Sequence, residues 1–194
     1  MTMIVAAVNV PRPPGSSGAL RLAPASGPVG FDAPGFAAGP DVPPPDDPSI
    51  APADHALAYA AYAYPTAHHA FWRTVRAQAQ VTPREEPLPP ASFDEHLALD
   101  GLQESQLWLG DLLRFPHCTL VVSAPRLPDS RFDATLGFPH AASMVAQSRW
   151  CGFWLAVRVP GTIAAGDAFE VIPGPRATGV VELFRDRLKK AQRP

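Results

Sequence analysis

The sequence predicts a mainly β fold: a closed β-barrel with a few short helices and a C-terminal helix. Two Gly-Asp turns carry much of that expectation. In Leu107–Phe115 and again in Thr162–Ile172, Gly-Asp stands between a hydrophobic approach and an alternating stretch. Glycine admits a positive φ and aspartate tolerates turns, so such turns between short strands point to a barrel. The third observation is the amphipathic segment 178–192. Val181, Leu183, Phe184 and Leu188 give it an apolar face, and Arg185, Arg187, Lys189 and Lys190 suit the negative end of a helix.

Taken in order, Met3–Val10, Ala19–Leu22 and Val29–Phe31 are candidate strands joined by proline-rich turns. A disordered leader competes with that reading, because this Pro, Gly, Ala and Ser composition buries little apolar surface. Residues 38–54 are expected to form a proline-rich mobile loop. Ala56–Tyr64 alternates Ala with Tyr and suits a strand, although its alanine content keeps a helix open. Thr66 is the expected N-cap of a helix over Ala67–Gln80, with Phe71, Trp72 and Val75 as its buried face. A charged loop (Val81–Pro90) precedes an alternating strand, Phe93–Leu99. Cys118–Val122 and Cys151–Val159 are the expected buried strands, with a short helix at Pro139–Ser148 between them.

Composition narrows the function. A chain of 194 residues is long enough for one domain with a real core or two small ones, and a single domain, 1–194, is expected. The formal charge of -2 and the lack of a basic stripe argue against nucleic acid. No segment approaches a membrane span, and the first strand lacks a signal peptide's basic start, so a cytoplasmic protein with no membrane partner is expected. The two cysteines, Cys118 and Cys151, sit in apolar runs and are expected to be buried free thiols. The only lysines, Lys189 and Lys190, are adjacent in a basic tail. Pyridoxal phosphate bound as a Schiff base is therefore disfavoured, since that chemistry needs a desolvated lysine.

The richest candidate site is the stretch from Ser123 to Phe132. Prolines at 125 and 128 remove two donors and fix two φ angles, so a stiff loop rather than a continuing strand is expected. Such a loop presents Arg126, Asp129 and Arg131 at fixed spacing. The planar fork of Arg126 suits a phosphate or pterin, or else caps a carbonyl. Asp129 is a ligand position or a turn acid, and Arg131 supplies charge or pairs with Asp129 or Asp133. Glu95 and His96, as strand neighbours, point to opposite faces, so only one can meet a pocket. Tyr62 and Tyr64 share a face and either stack on a flat ligand or pack in the core. His68 and His69 diverge on a helix, and His55, His117 and His140 lack metal spacing, so no metal site is expected.

Several ordered segments resemble one family. Ser123-Ala124-Pro125-Arg126-Leu127-Pro128-Asp129-Ser130-Arg131 resembles the Ser-x-Pro-Arg-x-Pro-Cys-x-Lys segment of MOSC-domain proteins, which are related to the C-terminal part of molybdenum-cofactor sulfurases. Val8–Pro13 is similar to the family's opening strand and turn, and Ala61-Tyr62-Ala63-Tyr64-Pro65 to its Val-Tyr-Ala-Tyr-Pro segment. Leu107–Phe115, Gln147–Arg158 and Gly161–Ile172 follow in order. The nearest branch is the small stand-alone proteins linked to resistance against hydroxylated purines. The resemblance implies a MOSC-like closed β-barrel and a pocket for molybdenum cofactor (molybdopterin), with a molybdoenzyme or reductase partner. It leaves monomer or homodimer open.

Four departures qualify it. Asp129 stands where the family carries its presumed sulfur-carrier cysteine, and a carboxylate cannot hold a persulfide. Arg131 replaces a lysine. Asp54–Ala60 lacks the glycines and lysine of the family's His-Gly-Gly-x-Asp-Lys-Ala, and Asp94–Leu97 keeps only Glu95 and Leu97 of Gly-Glu-Asn-Leu. The expected function is therefore binding of molybdenum cofactor, a pterin or an oxyanion without cysteine-based sulfur transfer. The candidate ligand residues are Arg126, Asp129, Arg131, Glu95, Ser123 and Tyr62. An active sulfur-carrier or reductase-type enzyme, and a degenerate paralogue with a structural role, are the alternatives.

Overall fold

The computed structural model describes residues 2–12, 21–32, 35–36, 58–81 and 88–191. The expected loop at 38–54, the segment Asp54–Leu57 and the start of the strand expected from Ala19 lie outside them. The strands are β1 (Met3–Pro11), β2 (Leu22–Pro24), β3 (Val29–Asp32), β4 (Gly35–Phe36), β5 (Ala61–Pro65), β6 (Leu97–Asp100), β7 (Leu112–Arg114), β8 (Thr119–Pro125), β9 (Phe153–Val159), β10 (Gly161–Ile163) and β11 (Ala168–Ile172). The helices are α1 (His69–Gln78), α2 (Ser130–Leu136), α3 (Ala141–Ser148) and α4 (Val180–Ala191).

Seven strands close a barrel in the order β1, β6, β5, β9, β8, β7, β11 and back to β1. Closure removes the free sheet edges that would otherwise present unpaired backbone groups. Only β5 and β6 run parallel; the other neighbours are antiparallel. A small sheet, β10-β3-β4, packs alongside. Two apolar cores result. Val5, Leu97, Leu99, Leu120, Leu155 and their neighbours fill the barrel. Tyr62, Tyr64, Trp72, Phe93, Phe132 and Trp154 form an aromatic core between the barrel wall and the helices.

Both Gly-Asp turns form by one device. Gly110 and Gly166 adopt φ of 84° and 92°, where glycine carries no Cβ penalty. Asp111 Oδ2 accepts the Trp108 N–H at 3.0 Å, and Asp167 Oδ2 accepts the Ala164 N–H at 2.8 Å. Each aspartate thus closes its own turn three residues back and launches the next strand.

Four local expectations are corrected. Ser123–Pro125 does continue as strand: a bulge between Val122 and Ala124 shifts the register, and Pro125 is the strand's last residue, paired with Phe153. A proline at a strand end need not donate to the ladder, so its missing N–H costs little there. The stiff loop therefore shrinks to 126–129, because Ser130 opens α2. Phe93–Leu99 is strand only from Leu97; residues 91–94 turn, with Ala91 and Asp94 at φ of 68° and 56°. Thr66 does not cap α1. It starts a 3₁₀ turn after Pro65, and its hydroxyl donates to Asp100 at 2.9 Å. Phe71 does not join the buried face: it is exposed, edge-on to Trp72 and Trp150, while Trp72 is fully buried and donates to the Tyr64 hydroxyl at 2.7 Å.

Candidate functional site

The end of β8, the 91–95 turn and the start of α2 bring five of the six candidate residues into one connected neighbourhood. Arg126 sits at its centre, 3 % exposed. Its Nη1 donates to the Phe93 carbonyl at 2.8 Å. Its guanidinium carbon lies 4.7 Å from the Tyr62 ring centre and 4.3 Å from that of Phe132, so two aromatic faces share the charge. Asp129 Oδ1 stands 3.9 Å from Nη2, which is attraction without a hydrogen bond. The Nε–H has no acceptor among the described residues.

Asp129 is the N-cap of α2. Its Oδ1 accepts the Arg131 N–H at 2.9 Å, and its Oδ2 accepts from Arg131 Nε at 3.0 Å and from Nη2. Half-burial pushes its carboxyl up, but the hydrogen bonds from Arg131 and the charges of Arg126 and Arg131 outweigh it and hold the carboxyl below its ordinary range. It is an ionised anchor between two arginines. Arg131 Nη1, like Arg126 Nε, has no acceptor among the described residues.

Glu95 is fully buried and folds back on its own turn. Oε1 accepts the Ala91 N–H at 2.7 Å, and Oε2 accepts the Phe93 N–H at 2.9 Å. Burial pushes its carboxyl up to about 7 against the pull of backbone N–H groups. His96 is also buried; both residues precede the strand, which starts at Leu97, so the period-2 alternation expected of the pair does not govern them. Burial and the Arg126 charge lower His96 to about 4, and its Nδ1 accepts the Tyr62 N–H at 3.0 Å. Tyr62 itself is buried in the aromatic core, with its hydroxyl donating to the Cys151 carbonyl at 2.9 Å. Ser123 lies on the β8 bulge, half-buried, its hydroxyl without a partner among the described residues.

One cluster had no sequence signal. Glu104 and His68 form a buried pair at 2.7 Å, and Glu104 Oε1 accepts the Gly152 N–H at 2.8 Å, while Trp150 stacks on His68 at 4.5 Å. These residues lie far apart in sequence and meet only through the barrel. Among the described residues no group of three or more His, Cys, Asp or Glu is placed to hold a metal ion. A hollow of about 460 Å³ lies elsewhere, against Arg114, Phe115, Pro116, Ala168, Phe169 and Glu170.

The family pattern of the MOSC domain matches residues 50–170, more than half of the chain. The chain belongs to the MOSC domain family. Among curated relatives, the MOSC protein described here is 28% identical over 109 residues to the uncharacterised protein YflK of Bacillus subtilis and 29% identical over 110 residues to YiiM of Escherichia coli. Each alignment covers 56% of this chain and 46% of the relative, so the chain spans about half the length of the curated relatives it matches. Its fold superposes on YiiM of Geobacillus stearothermophilus with a TM-score of 0.72 at 21% identity, covering 98% of this chain and 86% of that one. For the Escherichia coli YiiM structure the TM-score is 0.67 at 21% identity, over 94% and 75%. No helix among the described residues of this MOSC protein is long and apolar enough to cross a membrane.

Proposed function

We propose that this MOSC protein binds an oxyanion, or the anionic end of molybdenum cofactor or a related pterin, through Arg126 and Arg131, without cysteine-borne sulfur transfer. One observation carries the reading. A buried guanidinium normally has its donors satisfied and a carboxylate in hydrogen-bond contact. Among the described residues, Arg126 instead has an unmet Nε–H and a carboxylate 3.9 Å away, and its neighbour Arg131 has an unmet Nη1–H. Spare donors on two fixed cations suit the oxygen atoms of a phosphate or molybdate.

The donor set fits the anionic part of the cofactor, which would supply the molybdenum redox chemistry when bound. Arg126 and Arg131 would hold that part, with Asp129 keeping both cations in place. The aromatic faces nearby are engaged with one another: Tyr64 stacks on Phe93 at 4.0 Å and Tyr62 packs on Trp154 at 5.4 Å. The charged end, rather than a flat ring stacked on these tyrosines, is therefore the expected point of recognition.

Sulfur transfer is disfavoured by the thiols. Burial pushes Cys118 up to about 11 and Cys151 well above the ordinary thiol range, whereas a sulfur carrier needs an accessible thiolate. Titration calorimetry with molybdate, and separately with molybdopterin, tests the proposal. Saturable binding is expected, weakened about tenfold in R131Q, the loss of one charge-assisted contact. Absence of binding at high micromolar ligand overturns it. Persulfide forming on either native cysteine would overturn the exclusion of sulfur transfer.

A further inference from the structure

We infer that Glu95 is a positioning residue for Arg126: its carboxylate holds the 91–95 turn whose Phe93 carbonyl carries the guanidinium. The inference rests on the reading of Arg126 as an anion-binding group. The turn cannot be held by backbone preference alone, because Ala91 and Asp94 both occupy the left-handed region that non-glycine residues disfavour. Glu95 supplies the compensating contacts, one N–H to each carboxylate oxygen. From β1, the Asn9 side-chain amide donates to the Glu95 carbonyl at 2.8 Å and fixes its backbone. The same turn then offers the Phe93 carbonyl to Arg126 and the Asp94 carboxylate to the Thr135 hydroxyl of α2, at 3.3 Å. Arg126 and the helix capped by Asp129 thus hang on one strained turn.

Protonating Glu95 turns one acceptor oxygen into an O–H aimed at an N–H, so one of the two contacts is lost. Asp94 on its own segment and Tyr62 on β5 act on Glu95 electrostatically, His96 follows it in the chain, Arg126, just past the end of β8, reaches the turn through the Phe93 carbonyl, and His69 of α1 stacks on Phe93 at 5.3 Å. His96 and His69 are both lowered to about 4 by burial, and Tyr62 is raised well above its ordinary value. None of these three changes charge between about pH 5.5 and 8.5, where Glu95 does.

The test has two arms on the full chain. In the ligand-free protein, the Phe93 amide and Arg126 Nε–H resonances are followed by NMR across that pH range. They are expected to move together with one midpoint near 7, and to stay still in E95Q. Unrelated midpoints, or no movement in the wild type, overturn the inference. The second arm measures affinity for sulfate, whose charge is constant over the range. Wild-type affinity should fall about tenfold toward the acid end, as one hydrogen bond is lost. E95Q should bind weakly without pH dependence, and E95D should regain part of the profile. An E95Q profile identical to the wild type also overturns the inference. If the two resonances share a midpoint but neither sulfate nor molybdate binds, the oxyanion reading falls while the positioning of Arg126 by Glu95 stands.

Discussion

Glu95 and His96 are adjacent, buried and perturbed in opposite senses, and this pairing shapes how stability responds to pH. Glu95 is raised from 4.5 to about 7, so the folded state holds its proton longer than the unfolded chain, and stability falls as pH rises through that window. His96 is lowered from 6.5 to about 4, so the unfolded chain holds the proton longer, and stability rises with pH between those values. Each contribution is about 3 kcal/mol, and they largely cancel in the wild type. Urea denaturation at several pH values should therefore give a steeper rise with pH in E95Q than in the wild type, and a fall in H96N. Slopes unchanged by either substitution would show that neither group is perturbed. The sequence supplied both residues on an alternating strand, but alternation applies only inside a strand, and the strand starts at Leu97, two residues after Glu95.

At the scale of elements, Asp129 shows how one residue changes the meaning of a segment. As the N-cap of α2 it satisfies a backbone donor at the helix start, and it also pins Arg131. D129N keeps the capping oxygen and should cost well under about 1 kcal/mol. D129A should cost about 1–2 kcal/mol, since the cap and the anchor of two cations are both lost. Thermal or chemical unfolding separates the two; equal losses would mean that capping contributes nothing. Asp followed by Ser-Arg-Phe-Asp is a legible helix start in hindsight, but Pro125 and Pro128 made the whole segment look like loop. The sheet accommodates Pro125 because it falls at the strand end, beyond a bulge. Which residue of a strand is its last is decided by the partner strand, and that information is not local.

For the whole molecule, the barrel is held unevenly. β8 and β9 pair over Thr119–Pro125, whereas β1 and β11 pair as strands at Met3↔Phe169 and Ile4↔Ala168, extended by the backbone bonds of Val5 to Gly166 and Asp167. Amide hydrogen exchange should be faster at 168–169 than at 155–157, because the seam with fewer paired residues opens at lower free energy. Equal protection would mean that the barrel opens as a single unit. The sequence by itself determined the mainly β class, both Gly-Asp turns, the buried free cysteines and the C-terminal helix. Each follows from periodicity or turn chemistry within about a dozen residues. It also brought Arg126, Asp129 and Arg131 together, since they share one short segment. Only the tertiary structure decided that Glu95 grips its own turn, that Phe93 links Glu95 to Arg126, and that Glu104 joins His68 to Gly152. Those contacts join strands distant in the chain, and a buried charge takes its partners from whatever the closed barrel places beside it.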